Sequence, residues 1–120
     1  MQHLPINKEN LPEQFEISFG GPSYILRFDY SPEYDLFSVS SFLVTEESQT
    51  PLVLGERLIL EKPLWSDMIP EVGVGPDIIP MDLAGLETRI TWDNFGRSVF
   101  LYVDDDSLNV TAVRGGEDEI

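Results

Sequence analysis

Apolar and polar positions alternate most regularly over residues 15–44. Phe15, Ile17 and Phe19 alternate with Glu16 and Ser18, which gives a strand with one apolar face. Gly20, Gly21 and Pro22 interrupt the run, and glycine supplies the positive φ that a tight turn requires. Tyr24, Leu26, Phe28 and Tyr30 then share one face, with Ile25, Arg27 and Asp29 on the other. Residues 31–35 form the next turn, because Pro32 fixes its own φ and has no amide to donate. The return strand presents either Phe37 and Val39 or Leu36 and Phe42 to the same side. The pattern predicts a three-stranded antiparallel meander.

The remaining chain is arranged around it. Residues 1–14 read as an extended arm in which Leu4, Pro5 and Ile6 pack on the domain or on a neighbour. Residues 45–50 are a polar loop. Residues 51–60 predict two short strands, or one bent strand kinked at Gly55. Leu52, Leu54, Leu58 and Leu60 share a face only if no bulge shifts the pleat. Residues 62–83 hold four prolines and two glycines yet are rich in large apolar side chains, and no strand or helix period runs through them. Residues 87–92 and 98–103 predict a late hairpin around Asn94 and Gly96. The organisation expected is an arm over 1–14, a β domain over 15–103 and an acidic tail over 104–120. The fold class expected is all-β: a small antiparallel β-sandwich or barrel with a long Pro/Gly-rich apolar loop and an acidic C-terminal tail, most of which reads as mobile.

Composition narrows the function classes. The 120 residues make one domain with a single core. The net charge of -15, from 22 acidic and 7 basic residues, repels phosphate backbones and anionic membranes. No nucleic-acid partner is therefore expected, and no apolar run is long enough for a membrane span. The first residues lack the layout of a signal peptide, so the expectation is synthesis in the cytoplasm. The absence of cysteine removes disulfides and thiolate chemistry, and a single histidine, His3, argues against a triad or a histidine metal site.

Four groups invite a chemical reading. A carboxylate pair such as Asp29 and Asp35 resembles a glycosidase couple, but with 22 acids such pairs arise by chance. Asp104, Asp105, Asp106 and Asn109 lack the glycine and distal glutamate of a calcium loop. Gly73, Gly75 and Pro76 have no following lysine and lose an amide at the proline, which excludes a phosphate loop. Aromatic side chains are left as a binding face, with Trp65 the freest because it lies outside the regular strands. The expectation is no enzyme, no cofactor and no metal. The apolar loop is the expected interface, through Trp65, Met68, Ile69, Ile78 and Ile79.

An ordered set of segments carries a resemblance. It runs from Leu4-Pro5-Ile6 and Phe15-Glu16-Ile17-Ser18-Phe19 to Tyr24-Ile25-Leu26-Arg27-Phe28-Asp29-Tyr30 and Leu36-Phe37-Ser38-Val39. It continues through Leu54-Gly55-Glu56-Arg57-Leu58, Pro63-Leu64-Trp65, Asn94-Phe95-Gly96 and Val99-Phe100-Leu101-Tyr102. Over residues 4–103 the chain resembles the phage baseplate plug family. The resemblance implies a virion component of the tail baseplate that plugs or seals the central hub or tube. It implies partners among hub or tail-tube proteins, a homo-oligomer or multi-copy assembly, and no catalytic residues. The alternative is a stand-alone β-sandwich binding module, for instance for carbohydrate.

Overall fold

Alternation becomes strand where one face finds a second layer to bury against. In the computed structural model, which describes residues 2–18, 23–64, 78–103 and 109–113, the chain forms β1 (Gln2–His3), β2 (Glu13–Ser18), β3 (Ser23–Ser31), β4 (Leu36–Val44), β5 (Gln49–Arg57), β6 (Ile78–Asp82), β7 (Val99–Val103) and β8 (Asn109–Val113). One 3-10 turn, Lys8–Asn10, is the helical element among these residues. Five strands form one sheet in the order β5-β4-β3-β2-β8, and three form a second in the order β1-β7-β6. Every pairing within the sheets is antiparallel.

The meander is the centre of the larger sheet. Leu26 lies opposite Phe15 on one side and Ser41 on the other, and Phe28 lies opposite Val39. Phe15, Ile17, Leu26, Phe28, Phe37 and Val39 are buried against Ile78, Val99, Leu101 and Val103 of the smaller sheet. The register of β4 is the one with Phe37 and Val39 inward, while Leu36 and Phe42 face out. Ile25 faces away from this core, beside Glu16 and Phe42, as its place in the alternation predicts.

Residues 51–60 take the bent-strand form. Pairing of β5 with β4 shifts register on both sides of Ser41. Gly55 has φ +72, and its amide donates to Ser40 Oγ at 3.0 Å. The shift breaks the leucine face: Leu58 is buried, Leu52 and Leu60 are half-buried, and Leu54 is 67% exposed.

Two expectations are corrected. The irregular loop does not extend to residue 83, because Ile78–Asp82 is a strand whose inward Ile78 and Pro80 complete the core. Pro80 is tolerated because β6 is an edge strand; the neighbouring chain meets it through Glu61 N to Pro80 O at 2.7 Å and Leu64 N to Ile78 O at 2.9 Å. The late hairpin does not form. β7 is already flanked by β6 and β1, so residues 87–98 fold irregularly around Asn94. Of the two places open to the arm, the domain is the one it takes: His3 pairs with Tyr102 and the buried Leu4 donates its amide to Leu101 O at 2.9 Å. Within the tail, Asn109–Val113 pairs with β2, Val110 opposite Ile17 and Ala112 opposite Phe15.

Candidate functional site

The residues proposed as an interface are not brought together by the described structure. Trp65, Met68 and Ile69 lie outside the described residues. Ile78 is fully buried in the chain's own core, so it does not belong to the free surface. Ile79, half-buried, points to the opposite side of β6, where it pairs with Tyr102; Met81 pairs with Phe100 beside it. The His3 ring packs on the same group, 4.4 Å from Phe100 and 5.9 Å from Tyr102 between centroids. The outer face of the smaller sheet is thus largely aromatic and aliphatic.

A second surface is built where the β3–β4 turn meets residues 88–97. Asp35 closes that turn at φ 54, a left-handed conformation that aspartate tolerates better than most residues. Its Oδ1 accepts from the Tyr30 hydroxyl at 2.7 Å and from Trp92 N at 2.8 Å. Arg89 reaches the same residue, Nη2 to the carbonyl at 2.9 Å and Nη1 to Oδ2 at 3.5 Å. The Tyr30 hydroxyl and then the Trp92 amide and Arg89 hold the Asp35 carboxyl below its ordinary range, against a smaller opposing effect of desolvation. The same hydrogen bond, to a charged acceptor, raises Tyr30. The Trp92 ring stacks on Phe37 at 6.2 Å with a 5° interplanar angle, and lies 4.8 Å from Tyr30.

Above that ring sits Lys8, from the turn that follows β1. Its Nζ is 4.9 Å from the Trp92 ring centroid and donates to the Trp92 carbonyl. Two clefts, of 540 and 390 Å³, meet at this contact, and both are lined by Lys8, Glu9 and Trp92. The larger extends past Asp93 and Arg97, the smaller past Asp29 and Tyr30.

A third feature projects at the end of β6. Asp82 Oδ2 accepts the amides of Leu86 at 2.8 Å and Glu87 at 3.0 Å, and Oδ1 accepts that of Ala84 at 3.0 Å. These bonds, led by the Leu86 amide, lower the Asp82 carboxyl. Gly85, at φ +72, completes the turn. The held loop carries Leu83 and Leu86 into solvent, 66% and 81% exposed.

Asn94 organises the intervening chain. Its Oδ1 accepts from Thr91 N at 2.9 Å, and its Nδ2 donates to Arg89 O at 2.9 Å and Glu87 Oε1 at 3.1 Å. Its carbonyl accepts the amides of Arg97, Ser98 and Val99. The sequence marks Asn94 and Gly96 only as turn formers; the signal for the wider role is an Asx residue beside a glycine, whose side chain can replace strand pairing.

Both oxygens of Asp35 are engaged, and Asp29 lies 3.4 Å from Arg27 Nε. Among the described residues, no three His, Cys, Asp or Glu side chains gather to hold a metal ion. Residues 104–108 of the calcium-like run and the Gly73–Pro76 run lie outside the described residues. No described helix is long and apolar enough to cross a membrane. Neither the curated proteins nor the solved structures give a match to the chain. A family described as cyanophage baseplate Pam3 plug gp18 matches residues 1–106, a span that includes both sheets except β8, and the chain belongs to that family.

Proposed function

We propose that this chain plugs the centre of a phage or prophage-derived tail baseplate, sealing the hub or tube through protein–protein contacts. Family membership over residues 1–106 is the observation that carries the reading. It gives the chain a structural role at the virion tail baseplate, in association with other baseplate proteins. Copies of the chain assemble there with hub or tail-tube proteins after synthesis in the host cytoplasm. The residues 65–79 contribute one contact surface, with Trp65, Met68, Ile69 and Ile79 as its anchors. The net charge of -15 favours basic surfaces on the neighbours.

The test is assembly. Tails produced without the chain are complemented with the wild type or with Trp65→Ala. The wild type is expected to co-purify with tails, and Trp65→Ala to remain in the soluble fraction with an unchanged melting temperature. Incorporation of Trp65→Ala at wild-type level removes residue 65 from the interface.

A further inference from the structure

We infer that the Trp92 groove is a receptor for a lysine or arginine side chain of a partner protein, and that Lys8 occupies it as an internal placeholder. The inference rests on the reading that the chain works through protein contacts. It adds what one of those contacts recognises.

The platform is prepared for a cation. Trp92 has the strongest ring quadrupole of the natural side chains, and a cation within about 6 Å of the centroid is attracted to the ring face. The ring is fixed from beneath by Phe37 and Tyr30, and its backbone is fixed by Asp35. A partner therefore meets a face that is already positioned, which lowers the entropy lost on binding.

The site already accepts an ammonium group. The chain has only 7 basic residues against 22 acidic ones, and holds one of them over this ring. The clefts on either side, 540 and 390 Å³, leave room for the backbone of an incoming segment flanking its basic side chain. Charge on the rim points the same way. With Lys8 displaced, Glu9 and Asp93 line the groove together with Asp29, which is paired with Arg27, and Arg97 is the one cation left among its lining residues.

The experiment uses the full chain and a fluorescein-labelled hexa-arginine peptide, read by anisotropy at about 0.1 M salt, where distant charges are largely screened. Three proteins are compared: wild type, Lys8→Ala, and the exposed-rim double variant Glu9→Gln with Asp93→Asn. Removing the placeholder should tighten binding about fivefold, and removing the rim charges should weaken it about fivefold, the scale of one cation–π or ion-pair contact. Equal affinities for all three would overturn the site, and so would an equal weakening by the charge-matched variant Glu46→Gln with Glu47→Gln, exposed residues outside the groove, which would reduce the binding to general acidity. So would displacement of the peptide by chitohexaose, which would make the groove a glycan platform. The rim residues are exposed, so that arm remains informative even if Lys8→Ala destabilises the corner. A chain that ignores the peptide yet enters tails normally removes the groove and leaves the baseplate role standing.

Discussion

Asp35 does at one position what a longer loop would otherwise need. Asp35 ties the β3–β4 turn to Tyr30 and Trp92 through its carboxylate and to Arg89 chiefly through its main-chain carbonyl. Its lowered folded-state pKa fixes the sign of its pH dependence. The stabilisation is fully present above the unfolded carboxylate value near 4 and is lost as pH falls through the lower folded value. Asp82, also lowered, acts in the same window. Tyr30 is raised, so its contribution holds below its unfolded pKa near 10 and is lost at higher pH. Melting temperature measured against pH should therefore fall below about pH 4, and Asp35→Asn should shallow that acid limb. Tyr30→Phe should lower the melting temperature at neutral pH, because it removes a hydrogen bond to a charged acceptor. An acid limb identical in Asp35→Asn and wild type would remove Asp35 from the account. At the core, Phe28 is 1% exposed and lies edge-on to Phe15 at 6.0 Å. Phe28→Ala should cost about 3–5 kcal/mol in denaturant unfolding.

Two elements decide how the sheets end. β5 is an edge strand that bends at Gly55, where an added Cβ would meet nothing within 4 Å. Gly55→Ala should thus cost about 1–2 kcal/mol through backbone strain alone, and a loss-free substitution would mean that the bulge relaxes. β8 covers the other edge. Removing residues 104–120 should strip β2 of a partner strand, and hydrogen exchange at the β2 amides facing Asn109–Val113 should accelerate. Unchanged protection there would show that β8 adds nothing in solution.

The elements also show what the pattern could reveal. The β2–β3–β4 meander was legible because the inward face of each strand is apolar and buried while Glu16, Ser18, Arg27 and Asp29 on the other face are polar and at least partly exposed, so alternation carries the register. β6 was hidden because Ile78 and Pro80 face inward while Ile79 and Met81 are also half-covered, leaving no alternation beside four prolines. Residues 87–92 alternate like a strand, yet β1 and β6 already flank β7, and such competition between distant segments leaves no local mark. β8 was masked by the charges around it. Of the candidate site, the aromatic character was legible. The pairing of Lys8 with Trp92, 84 positions apart, was not, because no local period connects an arm to a loop.

At the scale of the whole molecule, an acidic sandwich with one placed Trp92 groove and an exposed leucine tip is suited to being held by neighbours. Its association with hub proteins should weaken with salt, because the screening length falls from about 10 Å at 0.1 M to about 3 Å at 1 M. Co-sedimentation across that range checks it, and a flat response would assign the acid excess to solubility. The central claim is that the chain fills the middle of the hub. A reconstruction of baseplates from tails with and without it tests that most directly. The account predicts density on the tail axis that fits the two-sheet sandwich and vanishes, leaving an open channel, when the chain is absent. Axial density that persists without the chain, or a sandwich found only at the baseplate periphery, would contradict it.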